Sequence, residues 1–300
     1  MCATRLSIAG VSVALALFAL PAMAGKDLRV RVRTETGIVS IPLEVYVERV
    51  VAAETYADWP AEALKAQAVV ARSYVLHEKA RNAGGSYDVV DSVRSQRYRA
   101  TPVPATIRAA VAATRGWMLT HEGRPILAAF HASAGGRTAS AAEVWGEAVS
   151  YLRGVPSPDD GAPDFFWSFE IARADLVAAL TARGFQARID GEFGVLERGP
   201  SGRVRTLRLG GAPVEGRTLR RILGGRALRS TLFELRVEGD RIQFLGSGSG
   251  HGVGLSQWGT RALAQRGKSY REILAHYYPG THLVRVAGAG EGPRVAGRAR

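Results

Sequence analysis

Residues 50–74 read VVAAETYADWPAEALKAQAVVARSY. Pro60 suits a first helical turn, where no N–H is required. From there the spacing predicts a helix to about Asn82, with Leu64, Ala68, Ala71 and Val75 as an apolar stripe. Lys65 and Arg72 are seven apart and share a different face, and Gly84-Gly85 stops the helix. Pro42 to Ala53 reads as a shorter helix. Just past it stands one acid, Glu54, in a run of Val and Ala. Apolar surroundings disfavour a carboxylate, and a carboxylic acid that keeps its proton at neutral pH can protonate a leaving group. The same acid could simply end a helix.

Outward from this stretch, Leu28 to Val32 and Val39 to Pro42 read as paired strands. Val89 to Arg99 reads as strand and turn, and Pro104 to Thr114 as a helix. Trp117 to Thr120 and Ile126 to His131 read as a strand pair joined by Glu122-Gly123. Ser133 to Thr138 is a Gly-rich loop, followed by a short helix at Ala142 to Ser150. Beyond Asp159 the texture changes to short Arg-rich strands (Val195 to Arg198, Arg203 to Leu209, Phe233 to Val237, Arg241 to Leu245) and helices at Ala174 to Arg183 and Arg217 to Leu223.

The fold class is therefore α+β: a mixed helix and strand core lobe with an inserted smaller α+β lobe and a cleft between them. The core takes residues 25–160 and 246–285 and the insert 161–245; residues 286–300 read as a disordered tail. Residues 1–24 read as a signal peptide: Arg5, an apolar run from Ile8 to Leu20, and Ala22-Met23-Ala24 as a cleavage site. The expectation is an exported protein, periplasmic or extracellular and wall-associated, touching membrane only through an uncleaved leader. The only cysteine, Cys2, lies in that leader. The mature chain would have no disulfide, no thiolate nucleophile and no cysteine-based zinc site.

The formal charge is +13, spread along the chain rather than blocked. For an exported protein, anionic wall polymers and membrane surfaces are as good counterparts as nucleic acid. The interleaved aromatics of a single-strand binder are missing, so no nucleic-acid partner is expected.

Residues 246–280 read GSGSGHGVGLSQWGTRALAQRGKSYREILAHYYPG. No dinucleotide, P-loop or G-x-S-x-G register fits, because the required glycines or serine are displaced. No cofactor is expected. What remains is a glycine loop holding His251, a helix from Leu255 to Gln265 carrying Gln257 and Trp258, and a second helix from Tyr270 to Tyr277 running into Tyr278. Polar groups beside aromatic faces suit sugar rings. The same aromatics could instead be core.

Three blocks resemble the stage II sporulation protein D / LytB family: VVAAETYADWPAEALKAQAVVARSYV; FHASAGGRTASAAEVW with YLRGVPSPDD; and GHGVGLSQWG with SYREILAHYYPGT. The resemblance implies a lytic transglycosylase cutting peptidoglycan glycan strands already stripped of stem peptides. It places the catalytic acid on Glu54 and basic helix residues on Lys65 and Arg72. Other family members are named amidase enhancers, which implies a non-catalytic alternative with a cell-wall amidase as partner. Some members hold zinc through His and Cys in the central block. Without a mature cysteine no metal site is expected, and His131 reads as a hydrogen-bonding residue.

On the catalytic reading the attacking group is the substrate's own C6 hydroxyl, so one residue, Glu54, can serve as acid and then base and leave a 1,6-anhydro-muramyl end. Lys65 and Arg72 are assigned to substrate positioning. His131, His251, Gln257 and Tyr278 are candidate substrate-binding residues. Asp88, Asp91, Glu143, Asp159 and Asp160 are candidate second carboxylates.

Overall fold

The computed structural model describes residues 28–91 and 102–285. The predicted leader, the tail at 286–300 and the later part of the strand and turn read at Val89 to Arg99 lie outside the described residues.

β1 (Arg29–Thr34) and β2 (Gly37–Pro42) form an antiparallel hairpin with Thr34 opposite Gly37. Gly37 has φ +136°, a backbone conformation open mainly to glycine. α1 (Leu43–Glu54) follows without a loop and turns Leu43, Tyr46, Val47, Val50 and Val51 inward. α2 (Ala61–Arg81) is about 30 Å long. β3 (Val89–Val90) returns parallel to β1, and α3 (Ala105–Ala113) packs on α1 and α2.

α2 organises the core because it is buried on more than one side. Leu64, Ala68, Ala71 and Val75 join a cluster with β1, α1 and α3, as the stripe predicts. Ala66, Val69 and Val70 join a second cluster with later parts of the chain. A helix apolar nearly all round belongs inside a protein rather than on its surface.

That second cluster gathers β4 (Trp117–His121), β6 (Phe130–His131) and α4 (Ala141–Trp145), with β5 (Arg124–Pro125) paired to β4. The predicted pairing of Trp117 to Thr120 with Ile126 to His131 is corrected. β4 pairs with β5 only at Thr120 and His121, and Phe130-His131 pairs in parallel with a segment more than a hundred residues later. α4 is shorter than predicted, ended by Gly146 in the left-handed region.

Residues 167–244 build a third hydrophobic cluster of their own around Trp167, Leu176, Leu207, Leu219 and Phe244. It consists of β7 (Phe166–Ala172), α5 (Arg173–Thr181), β8 (Phe193–Arg198), β9 (Val204–Leu209), β10 (Ala212–Glu215), α6 (Gly216–Leu223), β11 (Phe233–Glu238) and β12 (Arg241–Ser247). The strands make two small sheets, ordered β10-β9-β8 and β11-β12-β7.

The chain then returns to the core through β13 (Leu255–Ser256), α7 (Gln257–Gln265), α8 (Tyr270–Tyr277) and β14 (His282–Arg285). The helix predicted from Leu255 starts two residues later, because Leu255 and Ser256 are spent on the β6 pairing. Ser269 and Glu272 form a reciprocal capping box at the start of α8. The architecture is mixed α+β with several small sheets. No helix among the described residues is long and apolar enough to cross a membrane.

Candidate functional site

Glu54 is the last residue of α1 and is half-buried. Thr55 ends the helix in an extended conformation; its N–H and its hydroxyl both donate to the Val51 carbonyl, at 2.9 and 2.7 Å. Glu54 thus stands at the helix end whose dipole opposes negative charge. Its main-chain carbonyl accepts a hydrogen bond from Gln257 Nε2 at 3.1 Å.

Gln257 is held in turn. It opens α7, whose N-cap Ser256 accepts from the Gly259 N–H at 3.2 Å and donates to Asp159 Oδ2 at 2.9 Å. Asp159 is buried, with 1% exposure. It also accepts from Ser133 Oγ and from the backbone N–H groups of Ala134, Gly135 and Gly136. This carboxylate shapes the Gly-rich loop and anchors the start of α7. Five donors converge on it, four of them on Oδ2. Asp88 is likewise buried and taken, by Arg31 at 2.7 Å and Lys79 at 3.1 Å. Asp160 is exposed.

Beside Glu54 lies an aromatic group. Trp59 and Trp258 meet edge to face at 5.3 Å, and Tyr56 stands 5.8 Å from Trp59 and 6.3 Å from Trp258. Trp59 is buried, Trp258 half-buried, and Tyr56 is 60% exposed. The Arg261 guanidinium lies 5.1 Å over the Trp258 ring. Sequence reasoning named neither Tyr56 nor Arg261; an aromatic two residues after the acid was the available signal.

Lys65 is partly exposed and paired with Glu62 at 2.6 Å. Burial pushes the Glu62 carboxyl up, but the Lys65 bond and the Tyr270 N–H outweigh it and hold it below the usual range.

Arg72 is enclosed. Its side chain has no solvent exposure, and its Nη2 and Nε donate to the two Glu44 oxygens at 2.6 and 3.0 Å. Nη1 donates to the Trp117 carbonyl at 2.9 Å. It ties α1, α2 and β4 together. Tyr278 is fully buried as well, and its hydroxyl donates to the Ala129 carbonyl at 2.7 Å. Gln257 is buried too and meets Glu54 through the main chain.

His131 and His251 come together, with ring centroids 5.4 Å apart and the Trp145 ring 5.5 Å from His251. His131 Nδ1 lies 3.1 Å from the Val253 carbonyl, which can only accept, so Nδ1 carries the proton. Burial, then His251 and Arg203, hold the His131 imidazole well below its ordinary range. Burial likewise pushes His251 down to about 4. Both are neutral at pH 7. Among the described residues, no group of three or more His, Cys, Asp or Glu could hold a metal ion.

A family model described as stage II sporulation protein matches residues 32–121, which contain Glu54 and α2. A domain of unknown function (DUF8618) matches residues 150–254, which contain the third cluster. An uncharacterized protein of Brachyspira hyodysenteriae is 34% identical over 81% of this chain, which spans 66% of that protein. Stage II sporulation protein D of Bacillus amyloliquefaciens is 34% identical over 82% of this chain and 75% of its own length. The amidase enhancer of Bacillus subtilis is 26% identical over 77% of this chain but only 39% of its own length. The chain therefore belongs to the stage II sporulation protein D / LytB family.

Proposed function

We propose that the chain binds the glycan strands of peptidoglycan on the surface beside Glu54 and, so placed, assists a cell-wall amidase. The observation that carries this reading is the aromatic group of Tyr56, Trp59 and Trp258, with its exposed ring and overlying guanidinium, next to a rigidly held helix end. Sugar rings pack their C–H faces on such rings while hydroxyls seek fixed polar partners. The likeness to an amidase enhancer over 77% of this chain supports the assisting role. Cosedimentation with purified glycan strands, comparing the wild type with Tyr56→Ala, tests it.

A second reading is catalytic, a lytic transglycosylase in which Glu54 protonates the leaving glycosidic oxygen and then accepts the C6 hydroxyl proton. Glu54's position favours it: a partly exposed acid at a helix C-terminus, beside the proposed sugar platform and fixed through its carbonyl by Gln257. This reaction requires no second carboxylate, because the nucleophile belongs to the substrate. In this role Lys65 remains a proposed positioning residue, reached from the first turns of α2.

A further inference from the structure

A polar cavity of about 240 Å³ is lined by α4 on one side and by β9 and α6 of the inserted segment on the other. Arg203, Arg205, Arg217 and Arg220 line it, against Glu143 and Glu215. Most of these charges are already answered. Arg217 donates through Nε and Nη2 to Glu215, and Arg205 donates to Glu197. Glu143 accepts from the Ser201 N–H at 3.2 Å and from its hydroxyl at 2.5 Å. Arg203 is 2% exposed, and its Nη groups are spent on the Ala134 and Arg137 carbonyls and Ser201 Oγ.

Arg220 is different. Its Nε donates to the Leu228 and Arg229 carbonyls at 2.9 and 3.2 Å, which holds the guanidinium in place. Its two Nη groups have no acceptor among the described residues and are not closed off from solvent. Thr206 and Thr231 also line the cavity, and their hydroxyls likewise have no partner among the described residues. Burial holds the Arg220 guanidinium below its ordinary range and pushes Arg203 down to about 10, the mark of cations short of a counter-ion. His251, in the same wall, is neutral at pH 7 and adds no charge. With Arg205 and Arg217 each paired to an acid, Arg203 and Arg220 stand against Glu143, a surplus of one positive charge.

We propose that this cavity binds one phosphodiester group of an anionic polymer, with the Nη edge of Arg220 and the hydroxyls of Thr206 and Thr231 taking its oxygens. The charge surplus matches a monoanion. A phosphodiester carries one negative charge, whereas a phosphate monoester carries about 1.5 to 2 at pH 7. A guanidinium edge fits either a carboxylate or a phosphate with two parallel bonds. Further donors from β9 and from Thr231 come from separate segments, which suits a tetrahedral group better than a flat carboxylate. The net charge of +13 draws any polyanion to the surface; the cavity selects among them. None of these residues belongs to the Tyr56, Trp59 and Trp258 group, so the site stands independently of the glycan reading.

The test measures binding of the full chain, at low and high salt, to a short glycerol-phosphate polymer, to polyglutamate of the same charge and to the glycerol phosphate monoester. The phosphodiester polymer is expected to bind about tenfold tighter than polyglutamate and to keep that lead at high salt, because exposed charges are screened and the enclosed guanidinium much less. Arg220→Gln removes the charge and the fork and is expected to abolish the lead. Arg220 also ties down the carbonyls at 228 and 229, so a second variant leaves those ties and every charge in place. Thr206→Val with Thr231→Val is expected to weaken phosphodiester binding about fivefold and leave polyglutamate binding unchanged. Equal binding of the two polymers by the wild type assigns the attraction to general surface charge and overturns the proposal, with no variant needed. A lead that survives in the Thr206→Val, Thr231→Val protein and in a folded Arg220→Gln protein overturns it as well. So does a monoester that binds as tightly as the polymer.

Discussion

Gln257 Nε2 donates to the main-chain carbonyl of Glu54 at 3.1 Å, joining the end of α1 to the start of α7 across 203 residues of sequence. The bond fixes the backbone that carries the acid and leaves the carboxyl group itself outside this contact. Gln257→Leu keeps the volume and removes the donor. A stability loss of about 1 kcal/mol is expected by urea unfolding, together with weaker glycan binding. Unchanged binding in a variant of normal stability would separate α7 from the site.

Arg72 and Glu44 make a two-pronged ion pair with no exposure on the arginine side. Removing one partner of a buried pair costs about 3–5 kcal/mol. Arg72→Ala is therefore expected to unfold at much lower denaturant, whether or not glycan is present. A variant of wild-type stability that loses only glycan affinity would speak for a substrate role instead.

His251 gives a pH dependence of defined sign. Its folded pKa, about 4, lies below the unfolded value near 6.5, so the unfolded chain takes up a proton first as pH falls. The contribution is fully present above pH 6.5 and is lost as pH drops toward 4. His131 acts in the same direction. Melting temperature is expected to fall across this window, and His251→Gln is expected to flatten the slope. An identical slope in the variant would contradict the burial argument.

On the catalytic reading, wild type releases anhydro-muramyl ends from glycan, and Glu54→Gln reduces that release by about 100-fold or more. Mass analysis of the digest reads both. Equal release by the two proteins would remove Glu54 from the chemistry.

The helices α1 and α2 were legible because caps and apolar spacing act over a few residues. What α2 touches was not. Seven-residue spacing puts Lys65 and Arg72 on one face, yet the helix runs between two cores, so Lys65 stays near solvent while Arg72 is enclosed. Its partner Glu44 sits in another helix and carries no local signal. Tyr278 looked available beside a glycine loop, but its role depends on Ala129, 149 residues earlier. The parallel pairing of β6 with β13 is long-range in the same way, and it is what truncates the predicted strand at 126–131. Asp159 was one of several candidate second carboxylates; that the N–H groups of a loop 23–25 residues earlier converge on it had no local signal. Arg203 was one arginine among many until burial set it apart.

The central claim, that the surface beside Glu54 grips glycan, is tested most directly by cosedimentation of the wild type and Tyr56→Ala with purified peptide-free strands. Tyr56 is largely exposed, so its loss should leave stability within about 0.5 kcal/mol. The wild type is expected to pellet with the strands and the variant to bind at least tenfold more weakly. Equal pelleting of the two proteins, or a wild type that stays in solution, would contradict the account.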